Sequence, residues 1–475
     1  MAGPHASRAY AEIDAIYGRF ASEVHAPGLV AGVVREGRLD HLVTVGVADR
    51  QSGRPVTADT AFRIASMTKN VTALAILMLR DAGRLSLEAP IGAYVPELAD
   101  QPLPTSDSAP VTVRDVLTHV GGFVSDDPWA DRVLGMAPSD FTSLLGSDGL
   151  FAQAPGVAFE YSNLGYALLG RAITNVSGRP YQEAIGELLL APLGLTDTTF
   201  DVSAIADDRR ARGYHWRDDK WGEEPAEPDG EFAAMGGLVT TARDYGAYLA
   251  FLLNAWPPRD APETGPARRS TRRELGLAHA MPGPARPRKA VDGSIMVATA
   301  YGYGLNSSAD PLLGRCLHHS GGLPGFGSNV LFGPDAGVGV FAFANITYAG
   351  PEPANFEAAG RLHAAGLWRT RAVPVSIALR AAAKAVEQAY AVGQLDDAKT
   401  RFALNLLLDE PLASRNASLA KLRSRFGDGR LSRIEVRHAL AGEVHLTCER
   451  GAVICDLVLT PGPDPKIQTL RFEAG

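Results

Sequence analysis

The sequence predicts a mixed α/β protein of the α+β type, with a large first domain and a small second one. Its 475 residues exceed the length at which single hydrophobic cores stop growing. Strand-like apolar runs lie at both ends of residues 1–370, with helices and loops between them. Residues 371–475 change to amphipathic helices followed by strand-like runs. We therefore expect one antiparallel sheet flanked by helices, a helical lobe beside it, and a separate small α+β domain.

The first domain opens with a helix and a pair of strands. Residues 1–20 mix charged and apolar side chains and lack the apolar core of a signal peptide, so we expect a first helix and a cytoplasmic location. Residues 28–35 carry a β-branched run, residues 36–38 form a turn signal, and residues 41–46 return as a strand. This pattern predicts a hairpin at the start of the sheet.

A buried helix and two further strands complete the framework of this domain. Residues 68–83 are apolar on nearly every side, which predicts a buried helix that ends at Gly83. Residues 90–200 contain short helices and loops punctuated by prolines and glycines. Strand patterns return at residues 327–332 and 337–345, and the second run is apolar enough to be a central strand.

An insertion rich in proline and arginine occupies residues 257–287. Four arginines lie close together there: Arg268, Arg269, Arg272 and Arg273. A charge run is usually a solvated face, so we favour an exposed segment around one short helix over a patch that binds phosphate or a partner.

Residues 371–475 have the pattern of a small independent domain. Two amphipathic helices are predicted at residues 377–392 and 412–426. Four strands are predicted after them, at residues 431–437, 443–449, 452–459 and 466–473. Because this region carries no catalytic constellation, we take it as an accessory domain and hypothesise a role in docking or homo-oligomerisation.

Charge and cysteine content narrow the classes of partner. A formal net charge of -7 and a pI near 5.9 argue against nucleic acid or an anionic membrane, and no apolar run is long enough to span a bilayer. The cysteines Cys316, Cys448 and Cys455 form no CxxC motif, and no HExxH occurs, so neither a metal nor a cofactor is predicted. Cys448 and Cys455 could face each other across a hairpin, although reduced thiols are favoured in a cytosolic protein.

The first motif with chemical content is Ser66-Met-Thr-Lys69. Residues three apart on a helix are neighbours, so Lys69 is expected beside the Ser66 hydroxyl. A desolvated lysine can have a pKa low enough to take the serine proton, and a helix start favours developing negative charge. The motif alone is weak, because Ser418-Leu-Ala-Lys421 also matches it. That second copy has no companion motif after it, and we interpret it as a surface pair.

The second motif, Tyr161-Ser-Asn163, precedes a predicted helix start at Leu164. A tyrosine near two cationic groups can be partly ionised and act as a base. Asn163 offers amide groups to a substrate or to Lys69. Taken alone, these residues are more typical of a packed loop tyrosine and an N-capping asparagine.

The third motif, His319-Ser-Gly321-Gly322, immediately precedes the strand pattern near residue 330. Glycines there let a substrate lie against a sheet edge, and a backbone N–H could join that of Ser66 in an oxyanion hole. Taken alone, the motif is more typical of a glycine-rich strand entry with a structural histidine.

Together, the three motifs resemble the penicillin-recognising serine hydrolases: class C β-lactamases, DD-peptidases, D-aminopeptidases and related esterases. Class A members carry Ser-x-x-Lys, Ser-Asp-Asn and Lys-Thr-Gly, and a tyrosine in the second motif is typical of the class C-like branch. Other stretches match this branch too: residues 117–122, 192–198 and 236–244. The resemblance covers roughly the first three quarters of the chain and implies a β-lactamase/transpeptidase-like fold. The C-terminal domain resembles, weakly, small cystatin- or NTF2-type modules.

The resemblance also implies roles by position. Ser66 is expected to be the nucleophile, with Lys69 and Tyr161 sharing the general base and acid roles. The residues expected to bind or orient substrate are Asn163, His319 and Gly321. The backbone N–H groups expected to form the oxyanion hole are those of Ser66 and Gly322.

The main departure from the family pattern is His319. Family β-lactamases have a lysine there, whose charge helps to hold the β-lactam carboxylate, whereas a histidine is mostly uncharged near neutral pH. A histidine at this position is similar to D-aminopeptidases and several esterase-like relatives. The sequence therefore predicts a metal-free hydrolase of small-molecule or peptide esters and amides, acting through an acyl-enzyme. The alternatives are a class C-like β-lactamase and a penicillin-binding sensor or scaffold that deacylates slowly.

Overall fold

The computed structural model describes residues 4–290, 293–371, 373–395 and 401–475. The chain divides into two compact units at the boundary between Thr370 and Arg371. Within the described ranges, no helix combines the length and the apolar character needed to cross a membrane.

Nine strands of the first unit form its main sheet, and two short pairs lie outside it. The strands of this unit are β1 Gly28–Arg35, β2 Arg38–Asp49, β3 Arg54–Pro55, β4 Phe62–Arg63, β5 Tyr214–Arg217, β6 Lys220–Glu223, β7 Val239–Thr240, β8 Arg286–Ala290, β9 Gly293–Tyr301, β10 Asn306–Asp310, β11 Gly314–Leu323, β12 Phe326–Gly333 and β13 Val338–Ala344. Over the described residues, the main sheet has the order β3-β2-β1-β13-β12-β11-β10-β9-β8, and every pairing is antiparallel.

The sheet is closed by segments that are distant in sequence. β1 pairs with β13, with Leu29 opposite Ala344 and Arg35 opposite Val338. Alternate side chains of β1 enter two different cores, because successive residues of a strand point to opposite faces. A strand buried on both faces is apolar at every position, which explains the uninterrupted pattern of residues 28–34.

Helices cover both faces of this sheet. They are α1 Pro4–Glu23, α2 Thr68–Asp81, α3 Val113–Leu117, α4 Asp127–Ala130, α5 Pro138–Leu145, α6 Asn163–Ser177, α7 Tyr181–Ile185, α8 Ala191–Leu193, α9 Ala233–Gly236, α10 Ala242–Leu253, α11 Arg269–Glu274 and α12 Glu352–Ala364. α1 and α12 pack on one face, whereas α2, α6 and α10 contribute to the core on the other. This arrangement confirms the predicted antiparallel sheet with flanking helices and a helical lobe.

Most of residues 257–287 are exposed around the short helix α11, as expected for a solvated insertion, but two of the four arginines depart from that expectation. Arg269 and Arg272 of α11 are buried. The guanidinium of Arg272 lies 4.0 Å from the ring centre of Phe251, and Arg269 donates to the carbonyl oxygen of Pro262 at 2.9 Å. Backbone carbonyls and a ring face can surround a buried guanidinium, and a linear charge pattern does not show this.

The strands β8 to β10 were not predicted. β8 lies at the end of the sheet order and contains Pro287, which an edge strand tolerates because one side of it needs no ladder hydrogen bonds. β8 and β10 read Arg-Pro-Arg-Lys-Ala and Asn-Ser-Ser-Ala-Asp, with none of the β-branched or aromatic residues that indicate strands.

The second unit consists of three described helices followed by a meander. Its elements are α13 Ile377–Val392, α14 Leu404–Asp409, α15 Leu412–Phe426, β14 Gly429–His438, β15 Ala441–Cys448, β16 Gly451–Leu459 and β17 Ile467–Ala474. The strands pair in chain order, and α14 was not predicted. Cys448 lies opposite Gly451 and Cys455 opposite Val444, so the two cysteines do not face each other, and both are free thiols.

Candidate active site

Ser66 lies at the entry to the buried helix α2. It belongs to a single 3₁₀ turn, Ala65–Met67, and is half-buried while the residues on both sides of it are buried. Ala65 has a φ of 48°, in the left-handed region, where a residue with a side chain is strained. This backbone presents the Ser66 hydroxyl at the helix start, where the helix field favours negative charge.

The Lys69 ammonium nitrogen is held at three points. Nζ lies 3.0 Å from Ser66 Oγ, 2.7 Å from Asn163 Oδ1 and 2.9 Å from the carbonyl oxygen of Met235. The last two atoms can only accept hydrogen bonds. A neutral amine with its two N–H groups on these oxygens therefore directs its lone pair toward the Ser66 hydroxyl.

The amide of Asn163 is oriented by a carboxylate that the sequence did not single out. Nδ2 donates to Asp127 Oδ1 at 2.6 Å, which turns the amide oxygen toward Lys69. Asp126 accepts from the backbone N–H of Asn163 and of Leu164, so it satisfies the first turn of α6. The N-cap of α6 is Ser162 and not Asn163, whose side chain is thereby free to act in the cleft.

Burial changes the proton affinities of both expected acid–base residues. Desolvation lowers the pKa of Lys69 to about 8, although Asp127, Asp131 and Asp126 act in the opposite direction. Desolvation and the nearby Asp127 raise the pKa of Tyr161 well above its ordinary value. A hydrogen bond with Ser66 lowers this pKa by a smaller amount. The resting tyrosine is thus a neutral phenol, which corrects the expectation of a partly ionised one, and it can donate a proton.

His119 contacts two residues of the second motif, Tyr161 and Ser162. Its Nδ1 accepts from the backbone N–H of Ser162 at 3.2 Å, and its ring centre lies 4.4 Å from that of Tyr161. Burial lowers the pKa of His119 well below its ordinary value, so it packs as a neutral ring. His119 lies in the stretch 117–122 that matches the class C-like branch. The sequence therefore marked this stretch but did not indicate what His119 does.

The third motif lies inside β11, and it is followed by β12, the strand expected near residue 330. Pairing with β10 ends where His318 meets Asn306, so the next residues of β11 extend past the end of β10 and leave that edge unpaired. A Cβ on Gly321 would overlap the carbonyl oxygen of Ile64 and the hydroxyl of Ser328. Glycine at 321 therefore lets the strand approach the backbone next to the nucleophile.

His319 is buried, and both of its ring nitrogens have protein partners. Nδ1 lies 2.6 Å from the carbonyl oxygen of Ser320, and Nε2 lies 3.1 Å from the Tyr301 hydroxyl. Nδ1 must carry the proton, because a carbonyl only accepts. Burial lowers the pKa of His319 to about 3, so the ring is neutral. This geometry favours a positioning role for His319. The expected direct contact of His319 with substrate stays a prediction.

Two other candidate clusters belong to the second unit. Ser418 and Lys421 are both exposed on α15, in the second unit, as expected for a surface pair. Glu435, Glu443 and His445 hold possible ligand atoms within 4.8 Å of one another, but exposed acidic groups often lie this close in proteins without a metal.

A solved structure shares the fold of this chain. The structure of the octameric penicillin-binding protein homologue from Pyrococcus abyssi matches with a TM-score of 0.61 and 19% identity, covering 97% of this chain and 99% of that one. The fold is therefore β-lactamase/transpeptidase-like. The family model described as Beta-lactamase matches residues 13–364, which include all three motifs. The chain belongs to the beta-lactamase family.

Individual relatives match parts of the chain. Esterase EstB of Burkholderia gladioli is 34% identical over 265 residues, which are 50% of this chain and 64% of that protein. Protein flp of Staphylococcus aureus is 28% identical over 341 residues, which are 70% of this chain and 63% of that protein. The aligned part thus spans just under two thirds of the length of these curated relatives.

Proposed function

We propose that this protein is a serine hydrolase that cleaves esters or amides through an acyl-enzyme on Ser66, with residues 1–370 as the hydrolase domain. The observation that carries the proposal is the position of Lys69 Nζ, 3.0 Å from Ser66 Oγ with two carbonyl oxygens at its other contacts. A buried amine so constrained can take the serine proton, as a positioned general base must.

The first half of the reaction forms the acyl-enzyme. Ser66 Oγ attacks the carbonyl carbon while its proton moves to Lys69 Nζ. The oxyanion is stabilised by the backbone N–H groups of Ser66 and Gly322. Collapse of the intermediate breaks the bond to the leaving oxygen or nitrogen. The neutral Tyr161 hydroxyl donates a proton to the leaving group and is reprotonated from Lys69.

The second half regenerates the enzyme. A water oxygen attacks the acyl carbon, and a proton of that water moves to the neutral amine of Lys69. The bond from carbon to Ser66 Oγ then breaks, and Oγ recovers a proton. His319 and Asn163 keep the third and second motifs in place through both steps.

Electrostatics favours neutral or cationic substrates over anionic ones. His319 is neutral, and the carboxyl groups that act on Lys69 are those of Asp126, Asp127 and Asp131. Burial raises the pKa of Asp126 and raises that of Asp131 to about 7. A β-lactam carries a carboxylate, which the ionised groups among these repel. We therefore infer an esterase or a D-aminopeptidase-like peptidase. The relative named as an esterase supports the first of these.

We also propose that the second unit mediates homo-oligomerisation. Leu404 and Leu408 are 84% and 74% exposed and share one face of α14, because they are four residues apart. The structural neighbour from Pyrococcus abyssi is described as octameric, and it aligns over 97% of this chain.

Hydrolysis of p-nitrophenyl acetate and labelling by a fluorophosphonate test the assignment of the nucleophile. We expect both activities in the wild type, with the label on Ser66 by peptide mapping, and neither in Ser66→Ala. Ser418→Ala is the matched control, since it removes the serine of the other Ser-x-x-Lys copy, and it should behave as the wild type.

Nitrocefin in the same assay separates the alternatives. A kcat/KM for nitrocefin above that for the ester would identify a β-lactamase. Labelling of Ser66 without turnover of any substrate would identify a slowly deacylating penicillin-binding protein. Label on another residue, or full turnover in Ser66→Ala, would refute the proposed nucleophile.

A further inference from the structure

A cavity of about 1000 Å³ lies on the face of the main sheet opposite to Ser66. Strands β8 to β11 form its floor, and α1 and α12 contribute to its walls. His318 of β11 lines it, whereas His319 points to the other face, because side chains alternate along a strand. The volume lies at the upper end of the range for ligand pockets. This cavity is therefore separate from the candidate active site.

The charged side chains around the cavity balance one another. They are four arginines and three glutamates: Arg19, Arg286, Arg288, Arg361, Glu23, Glu352 and Glu357. Three of the arginines are paired with carboxylates: Arg19 with Glu357, Arg288 with Asp310, and Arg361 with Glu12. Arg286 and Glu352 contribute one further charge of each sign. The cavity thus has no excess charge that would select an ion over a neutral molecule.

Two short chains of hydrogen-bonded side chains meet at the cavity floor. In the first, Ser308 Oγ lies 2.8 Å from both Thr299 Oγ1 and His318 Nε2. In the second, the Ser320 hydroxyl donates to Glu352 Oε2 at 2.9 Å. Between the two chains, His318 Nδ1 lies 3.8 Å from Glu352 Oε1, which is too far for a hydrogen bond. Nδ1 has no hydrogen-bond partner among the described residues, although His318 is only 6% exposed, and such a buried nitrogen calls for a further group at this place.

The protonation of His318 defines what that group must do. Burial lowers the pKa of His318, so the ring is neutral and only one of its nitrogens carries a proton. When the Ser308 hydroxyl donates to Nε2, the proton is on Nδ1 and faces the Glu352 carboxylate, whereas the other tautomer would turn a lone pair toward that carboxylate. A group between them must therefore accept from Nδ1 and donate to Oε1. A hydroxyl group does both at one atom, while a carboxylate only accepts and an ammonium only donates.

A ligand can reach this pair of residues from the cavity. The side chain of Glu352 lines the cavity and is 41% exposed, so its carboxylate can move enough to admit a hydroxyl group. The surrounding wall combines the apolar side chains of Phe20, Val297 and Leu312 with the amide of Asn306. Such a wall suits a ring that has C–H groups on its faces and hydroxyl groups at its edge, because apolar contacts hold the ring and polar ones orient it.

We propose that this cavity binds a neutral polyhydroxylated ligand of the size of a mono- or disaccharide, with one hydroxyl group between His318 Nδ1 and Glu352 Oε1. This binding site is independent of the reaction proposed for Ser66, because none of the residues assigned to that reaction lines the cavity. The ligand hydroxyl completes the hydrogen bonds of both side-chain chains at once.

Saturation-transfer NMR titrations with glucose, maltose and lactose test the proposal in the wild type, Glu352→Gln and Glu352→Ala. Glu352→Gln keeps an accepting oxygen and removes the charge, whereas Glu352→Ala removes the acceptor. We expect at least one of the three sugars to bind to the wild type, with a Kd that rises in that order. In Glu352→Ala the rise should be at least about tenfold, the lower end of what a hydrogen bond to a charged group contributes. Equal binding to the wild type and Glu352→Ala would overturn the proposal.

Two control variants locate the bound sugar. Glu187→Ala removes a glutamate that also pairs with an arginine, Arg179 at 3.0 Å, but that does not line the cavity. Ser66→Ala alters the cleft on the other face of the sheet. Both variants should bind sugar as the wild type does, and loss of binding in Ser66→Ala would place the sugar in the cleft and overturn the proposal.

His318→Phe is a second variant that tests the other half of the pair, since it keeps a ring and removes Nδ1. With the fold checked by circular dichroism, it should also weaken sugar binding. Sodium acetate and sodium phosphate in the same titrations test for an anion site. Binding of either anion in place of the sugars would overturn the choice of a neutral ligand. Binding of none of these probes would show that the gap admits only water, which would overturn the site itself.

Discussion

Lys69 shows how a single buried side chain acquires its chemistry from its neighbours. Its amine lies between two carbonyl oxygens and one hydroxyl, with no exposed surface. Removing the charge relieves the desolvation cost, and the lone pair that appears then faces Ser66. Asp127 has two opposing effects on Lys69. It orients the Asn163 amide, whose oxygen accepts from the Lys69 amine, and its charge raises the pKa of Lys69 and so favours the charged amine.

The pH dependence of hydrolysis should follow Lys69. Its pKa is lowered to about 8, so the neutral, reactive amine increases as the pH rises through that value. We expect kcat/KM for p-nitrophenyl acetate to rise between about pH 7 and pH 9, with a midpoint near the pKa of the free enzyme's base. Stopped-flow measurements with subtraction of the uncatalysed rate would define the curve.

Asp127→Asn provides a directional check on that assignment. Removing its negative charge takes away the largest influence that raises the pKa of Lys69, so the midpoint should move to lower pH. A profile that is flat over this range, or a midpoint that Asp127→Asn leaves in place, would show that another group is the base.

At the scale of elements, the site depends on the contact between β11 and the 3₁₀ turn before α2. Gly321 allows this contact, and Ser328 of β12 fastens it by donating to the carbonyl oxygen of Ile64 at 2.7 Å. From the other face, Asn329 donates to the carbonyl oxygen of His319 at 3.2 Å, and Asn355 of α12 donates to Asn329 Oδ1. Buried polar networks of this kind fix the position of a strand, because moving the strand would leave buried polar groups without hydrogen-bond partners.

Gly321→Ala should impair catalysis more than stability. The added methyl group would overlap backbone and not only side chains, so β11 must move away from Ala65 and Ser66. A displacement of about 1 Å near the chemistry costs on the order of 100-fold in rate, and we expect that loss in kcat/KM for p-nitrophenyl acetate.

Gly186→Ala is the control for this substitution, since nothing lies within 4 Å of the position of its Cβ. It should keep the rate and the Tm of the wild type. Near-normal activity in Gly321→Ala would mean that the strand and the nucleophile are not coupled in this way.

At the scale of the whole molecule, each unit has a core of its own. The cores of the first unit lie on the two faces of its sheet. The core of the second unit is formed by its helices and meander, with Leu379, Val386, Tyr390 and Leu457 among its fully buried residues. All the residues of the candidate site precede the boundary at Thr370. A unit with its own core can fold alone.

We therefore expect residues 1–370 to fold and to hydrolyse p-nitrophenyl acetate without the second unit. Thermal unfolding by circular dichroism and the ester assay would test this, with the full chain as control. Light scattering on both proteins tests the oligomer proposal, which predicts a smaller assembly for residues 1–370. Failure to fold would indicate a shared core, and a folded but inactive fragment would mean that the second unit contributes to the cleft.

Local patterns were sufficient for much of this protein. Residues 28–34, the helix after Ser66 and the C-terminal meander were predicted from the length of their apolar runs, their β-branched content and the turn residues around them. The three motifs indicated the family because their residue types and order are specific, and the family match confirms it. The elements that were missed, such as β8 and β10, carry polar side chains that such patterns do not distinguish from loops.

Only the tertiary structure decided what surrounds those motifs. Asp127 next to Asn163, Tyr301 against His319 and the hydrogen bond from Tyr348 to Asp131 join residues that are far apart in the chain. The state of Tyr161 was also decided there, because the neutral phenol follows from desolvation and nearby carboxylates, which a linear sequence does not display. The sequence by itself determined which groups can react. Their protonation and the space around them depend on burial and on long-range contacts, and these exist only once the sheet and the lobe have come together.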